Sequence, residues 1–213
     1  KRVLLRVKRK GSSKFQVLKV KGLSSSSERR LRYEEWVADR KAYVRARSKD
    51  RLAYIYMPAM GSGDLSRFLK ELERDAAPRE GLILDLRDNN GGNVHDRVLD
   101  ALTRPLYARW KRRGLSATRQ STFGFSDKRV VLLINEQTLS DGEMTANGFK
   151  ELRRGPVIGE TTYGWIIFTT SRRLLNGGSF RLPFWGCYSL DGRDLERDGG
   201  VKPDVNIPQD LRH

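Results

Sequence analysis

Apolar residues at the start of the chain alternate with charged ones, which predicts a β-hairpin. Val3, Leu5 and Val7 lie at alternate positions among Arg and Lys residues, residues 10–14 have the composition of a turn, and residues 15–20 resume the apolar pattern. Two strands alone bury no core, so we interpret them as the end of a module that begins upstream.

The apolar residues take on helical spacing after a Ser-rich linker at residues 23–27. We place a domain boundary at this linker. Leu31, Trp36 and Tyr43 recur at helical intervals among charged residues, which predicts a helix ending near residue 48. Ser27 is the expected N-cap.

The rest of the chain alternates between buried-type strands and amphipathic helices, which is typical of an α/β domain. We predict strands at 52–57, 81–86 and 130–134 and helices at 62–76, 94–102 and 141–152. Residues 104–129 lack periodicity and are expected to form a basic loop. The end is β-rich, with strands expected at 157–158, 166–170 and 179–182 and a hairpin turn at 176–178.

Composition is that of one globular domain with a small appendage. The chain has 213 residues, of which 38% are hydrophobic, and contains no long apolar run, so we expect neither a membrane span nor a membrane partner. Residues 1–25 show no secretory signal. Cys187 is the single cysteine, which allows no internal disulfide and fits a reducing, cytoplasmic location.

The net charge of +16 first suggests a nucleic acid or another anionic partner. Residues 1–51 carry +13 and residues 104–129 carry +7, however, which leaves −4 for everything else. Aromatic residues are not interleaved with the basic ones as stacking platforms for bases would be. Nucleic acid is therefore not the expected partner, although binding through residues 1–51 remains an alternative.

Two predicted strand-to-helix junctions contain residues that could support catalysis. After the strand at 81–86, Gly91 and Gly92 expose backbone N–H groups that could hold a developing anion. After the strand at 130–134, Ser140 stands at the start of a helix. It could be an N-cap in a capping box with Glu143, or a nucleophile favoured by the positive end of the helix dipole. The residue pattern alone leaves both interpretations open.

Four motifs together carry a family resemblance: GLILDLRDNNGG (81–92), VVLLINEQTLSDGE (130–143), PVIGETTYGW (156–165) and LERDGGVKPDV (195–205). In this order and spacing they resemble the C-terminal catalytic domain of the tricorn protease family, within the carboxy-terminal-processing peptidase superfamily. The helix and strand before them look like the entry into that domain. The hairpin at 1–22 resembles the last strands of the PDZ-like domain that precedes it.

The resemblance implies an α/β spiral fold of the crotonase or Clp-protease kind, with residues 1–25 ending a PDZ-like domain and residues 26–213 forming the peptidase core. It implies that Ser140 forms the acyl-enzyme and that the N–H groups of Gly92 and Asp141 form the oxyanion hole. Glu196 matches the acidic member of the catalytic tetrad. The Asp141 side chain is expected to favour basic substrate residues. Peptide substrates, a homo-oligomer and no metal or other cofactor are also implied.

The sequence departs from the family pattern at two positions. Asn90 replaces the first glycine of the usual NGGG loop, and Trp165 stands where related processing peptidases have a lysine base. A tricorn-like histidine would have to come from an upstream segment, so we expect the chain alone to be nearly inactive. His95 is a less favoured base, and His213, as the terminal residue, is expected to be disordered. The remaining alternative is a peptide-binding module that has lost catalysis.

Overall fold

The computed structural model describes residues 2–120 and 122–208, which divide into two compact units after Ala42. The first unit opens with the predicted hairpin, in which β1 (Arg2–Lys8) pairs antiparallel with β2 (Phe15–Lys21). Helix α1 (Ser25–Arg47) follows. Its first turn is capped by Ser24 rather than by Ser27, because the Ser24 hydroxyl accepts the Ser27 N–H at 3.2 Å.

From residue 52 onward strands and helices alternate as the pattern predicts. The elements are β3 (Leu52–Tyr56), α2 (Ser62–Glu71, continued by a π-helical turn at Leu72–Ala76), β4 (Gly81–Asp85), α3 (His95–Thr103), β5 (Ala108–Trp110), β6 (Thr118–Gln120), β7 (Arg129–Ile134), α4 (Asp141–Glu151), β8 (Val157–Gly159), β9 (Ile167–Arg173), β10 (Ser179–Gly186) and β11 (Val205–Asn206).

Five strands form one parallel sheet in the order β11-β8-β7-β4-β3. The central strands are near-continuous runs of Leu, Ile and Val, as expected where both faces of a sheet are covered. Ile55, Leu84 and Leu132 are fully buried, and so are Phe68 of α2 and Phe149 of α4. Helix α3 packs against both α2 and α4. The predicted α/β class is thus confirmed.

The basic segment 104–129 was wrongly predicted as loop throughout. It contains a short antiparallel hairpin, in which Arg109 pairs with Arg119. Arg154 holds the two ends of this segment together. Its guanidinium donates to the carbonyl groups of Leu102, Phe125 and Lys128. Burial lowers the pKa of Arg154.

The hairpin β9–β10 turns at residues 174–178, close to the predicted position, and both strands are longer than the pattern indicates. The pairing shifts between Pro183 and Trp185, where a bulge interrupts the ladder. Strand β11 is only two residues long and was not predicted. None of the described helices is long and apolar enough to cross a bilayer.

Candidate active site

The two predicted junctions meet at one edge of the sheet. Strands β4 and β7 are parallel neighbours, so the loops after their carboxyl ends emerge side by side. The Leu139 N–H donates to the Asn89 carbonyl oxygen at 3.0 Å. A Cβ placed on Gly91 would stand 2.7 Å from Cβ of Ser140. The glycine loop is therefore packed directly against the serine.

Ser140 adopts a backbone conformation that non-glycine residues rarely adopt, with φ of 54° and ψ of −117°. It occupies the position immediately before α4, at the positive end of that helix. Strain of this kind costs on the order of 1–3 kcal/mol and persists only where the surroundings enforce it. A sharp strand-to-helix turn that exposes a serine hydroxyl is a recurrent geometry of hydrolase nucleophiles.

Glu143 enforces this turn. Its carboxylate is fully buried and accepts the Ser140 N–H at 2.8 Å. The same group accepts the Thr162 hydroxyl at 2.7 Å, the Gly164 N–H at 2.6 Å and the Trp165 N–H at 3.0 Å. Four donors satisfy this buried charge, so the serine turn and the segment leading into β9 are held by one side chain.

Gly92 occupies a position that only glycine fits. Its φ is +157°, and an added Cβ would lie 2.1 Å from the Met60 carbonyl oxygen. The chain pairs there with Met60 in an isolated parallel bridge. Within the described residues, neither the Gly92 N–H nor the Asp141 N–H has an acceptor. Two backbone donors thus remain available near Ser140.

The Asp141 side chain has a different role from the one expected. Its carboxylate is fully buried and accepts the N–H groups of Val94 at 2.7 Å and His95 at 3.1 Å. It also bonds His95 Nδ1, and this hydrogen bond raises the pKa of His95. The expectation that Asp141 selects basic substrate residues is wrong, because this carboxylate caps α3 and is closed to solvent.

No base within residues 2–120 and 122–208 contacts the serine. Among the described residues, no histidine or lysine side chain is hydrogen-bonded to the Ser140 hydroxyl. The His95 ring is bound to Asp141 through Nδ1, and its Nε2 lies 3.4 Å from Asp96. His213 lies outside the described residues.

Glu196 makes no hydrogen bond with Ser140 among the described residues and does not line a cavity with it. It lies half-exposed in a turn, where its N–H donates to the Asp194 carboxylate at 3.1 Å. Its own carboxylate makes no hydrogen bond or ion pair within the described part of the chain. The structure therefore leaves this side chain free to meet a group from elsewhere.

A cavity of about 290 Å³ opens at Ser140. Sequence reasoning missed part of its wall, which comes from the β9–β10 hairpin. The missed signal is the period-2 spacing of Trp165, Ile167 and Thr169, which places them on one face of the chain entering β9. The lining residues are Asn90, Gly92, Leu139, Ser140, Trp165, Ile167, Thr169 and Arg181.

The remaining features of the described residues do not compete with this cavity as a catalytic site. A larger cavity of about 400 Å³ lies between α4 and residues 193–202, but it includes neither the serine nor the glycine loop. No group of three or more His, Cys, Asp or Glu side chains in residues 2–120 and 122–208 is arranged to hold a metal ion.

The chain is similar in sequence to tricorn proteases of bacteria and archaea. The chain is 36% identical over 188 residues to tricorn protease homolog 1 of Streptomyces coelicolor, covering 86% of this chain and 17% of that protein. It is 31% identical over 186 residues to the tricorn protease of Thermoplasma acidophilum, covering 84% of this chain and 17% of that protein.

A solved tricorn protease structure matches 97% of the chain with a TM-score of 0.83 and 28% identity. The match covers 20% of that structure, so the chain spans a fifth or less of the length of these relatives. The model of peptidase family S41 matches residues 51–207. This chain therefore belongs to peptidase family S41.

Proposed function

We propose that this chain is the C-terminal catalytic core of a tricorn-like serine peptidase, which hydrolyses peptide bonds through an acyl-enzyme on Ser140. The observation that carries the proposal is the geometry at α4. A serine in a strained turn stands next to two backbone N–H groups, of Gly92 and Asp141, that have no acceptor among the described residues.

In this mechanism the Ser140 oxygen attacks the carbonyl carbon of the substrate while a base takes its proton. The negative charge that develops on the carbonyl oxygen is received by the two N–H groups, and the base then protonates the leaving amine. Water repeats the sequence on the acyl-enzyme and releases the acid. Each donor of such an oxyanion hole typically contributes about 3 kcal/mol to lowering the barrier.

The base in this proposal is a histidine from a part of the protein outside this sequence, and Glu196 orients it. Two observations support this assignment. His95 is already bound to Asp141, and no other described side chain serves Ser140 as a base. The Glu196 carboxylate is half-exposed and makes no hydrogen bond or ion pair within the described residues, as expected of a group whose partner comes from elsewhere.

The proposal extends to the organisation of the protein. Residues 1–25 would end a PDZ-like domain, and residues 26–213 would form a spiral core of the crotonase or Clp-protease kind. Oligopeptides or unfolded segments are the proposed substrates, and the protein would act as a cytoplasmic homo-oligomer without a metal or other cofactor. The tricorn relatives and the single half-buried Cys187 support this description.

A second candidate function is a peptide-binding module that has lost catalysis. The observation that favours it is the absence, among the described residues, of a base on Ser140. Such a module would hold extended peptides beside the former site through backbone hydrogen bonds.

Hydrolysis of unstructured peptides by three preparations separates the two functions. A peptidase requires activity in the full-length protein, loss of that activity in Ser140→Ala, and near-background activity of the 213-residue chain alone. Folded full-length protein that binds peptides without cleaving them would establish the binding module. Robust hydrolysis by the chain alone would assign the base to a group within this sequence.

A further inference from the structure

An arginine of the β9–β10 hairpin lines the cavity of the proposed nucleophile. Arg181 lies opposite Ser171 in the antiparallel pair, which places it on the same face of the hairpin as Thr169. Its Nε donates to the Thr169 hydroxyl oxygen at 3.0 Å, and its Nη2 donates to the same atom. Arg181 and Thr169 share the cavity with Ser140.

Arg181 gives this cavity a positively charged group. The other seven lining residues are uncharged. Within the described part of the chain, no carboxylate forms an ion pair with Arg181. The acidic side chains of Asp141 and Glu143 lie close to the serine, but both are fully buried and accept hydrogen bonds from other groups of the protein.

The guanidinium is also positioned to bind a ligand. Both of its hydrogen bonds go to a single oxygen on Thr169, so they fix the plane of the group while using only part of its five N–H donors. The remaining donors can form the planar, two-point contact with a carboxylate that Arg makes and Lys does not. A basic side chain of a substrate would be repelled at this place.

We propose that Arg181 forms a carboxylate-binding subsite in the Ser140 cavity, so that the favoured peptides present a carboxylate close to the bond that is cleaved. The carboxylate is an Asp or Glu side chain or the free C-terminus of a short peptide. The inference rests on the proposed peptidase function, since it concerns the specificity of the same cavity.

The test compares kcat/KM of the full-length protein for two pairs of internally quenched peptides with otherwise neutral sequences. One pair differs by Glu against Gln beside the cleaved bond, and the other by a free against an amidated C-terminus. Arg181→Gln is the test variant. Arg172→Gln is the matched control, because Arg172 is exposed on the opposite face of the same hairpin and does not line the cavity.

We expect the wild type to prefer the carboxylate member of at least one pair by about tenfold, the typical effect of a hydrogen bond to a charged group. The ratio of kcat/KM within that pair should be unchanged in Arg172→Gln and should fall towards one in Arg181→Gln. In the wild type it should decrease as the salt concentration rises. Preference within the Glu/Gln pair would assign the carboxylate to a side chain, and preference within the other pair to the chain end. No preference in the wild type, or the same preference in Arg181→Gln, would overturn the subsite.

Failure of the peptidase proposal gives a different result, because no peptide is then cleaved. In that case fluorescence anisotropy of the same peptides, labelled with fluorescein, measures binding directly. A carboxylate preference that disappears only in Arg181→Gln would uphold the subsite on a binding module. Equal binding of both members of each pair would reject it.

Discussion

The Glu143 carboxylate accepts the backbone N–H of Ser140 at 2.8 Å. The group that holds the serine in its strained turn therefore lies three residues further along, at the start of α4. The same carboxylate accepts hydrogen bonds from Thr162, Gly164 and Trp165. The turn is therefore fixed to the wall of the cavity as well as to its own helix.

Glu143→Gln should impair both stability and turnover. The amide replaces an acceptor oxygen by a donor, so buried N–H groups lose their partner at about 1–3 kcal/mol each. We expect a lower free energy of unfolding and, in the folded fraction, a kcat reduced by about 100-fold, the effect of a small misplacement of a reacting group. Urea unfolding and kinetics measure the two effects.

Glu151→Gln is the control for that variant, since Glu151 is exposed at the end of the same helix. It should change neither quantity. A Glu143→Gln protein with unchanged kcat would show that the serine turn does not depend on this carboxylate.

Gly92→Ala should greatly lower turnover while leaving the sheet intact. The new Cβ would lie 2.1 Å from the Met60 carbonyl oxygen, so the loop must move and carry the Gly92 N–H away from the cavity. Loss of one oxyanion donor typically lowers kcat by about 100- to 1,000-fold. Gly63→Ala in α2, where a Cβ meets open space, is the control and should keep its activity. Equal activity of the two variants would contradict the oxyanion assignment.

The His95–Asp141 pair should make stability depend on pH. The hydrogen bond to Asp141 raises the folded-state pKa of His95 above 6.5. The stabilisation is therefore fully present below about pH 6.5 and is lost as the pH rises through the raised pKa. His95→Gln should lower the free energy of unfolding more at pH 6 than at pH 9, in denaturant titrations at both values. If His95→Gln lowered the free energy of unfolding equally at both pH values, the charged imidazole would not stabilise the folded protein.

Asp85 should be more important for stability than its partner Tyr54. Its carboxylate is fully buried and accepts the Tyr54 hydroxyl at 2.7 Å and Arg87 Nη2 at 2.6 Å. Burial raises the pKa of Tyr54, so its hydroxyl stays neutral and donates. Asp85→Asn leaves Arg87 without its counter-charge and should cost about 3–5 kcal/mol, against about 1 kcal/mol for Tyr54→Phe. Urea unfolding measures both losses of free energy, and equal losses in the two variants would refute this ranking.

The sequence was informative where local pattern and fold coincide. Leu-, Ile- and Val-rich runs predicted the strands that form the sheet, and the carboxyl ends of neighbouring strands bring Gly92 and Ser140 to one edge of it. Their roles came from the family resemblance, because a serine before a helix is also a normal N-cap.

Contacts between distant segments could not be predicted. The carboxylate of Asp141 faces Val94, which is 47 residues away, and only the packed loops show that it caps α3 instead of facing a substrate. Arg181 reaches the cavity because the β9–β10 hairpin folds towards Ser140, and nothing in its local sequence indicates this. The strands at 108–110 and 118–120 are too short to give a periodic signal.

The central claim is that Ser140 is the nucleophile, and the most direct test is the site of reaction with a fluorophosphonate probe. Intact mass and peptide mapping of the treated full-length protein should place one adduct on Ser140, with none in Ser140→Ala. Ser66→Ala, which removes an exposed hydroxyl from α2, should label like the wild type. An unlabelled but folded wild type, or an adduct that persists in Ser140→Ala, would contradict the account.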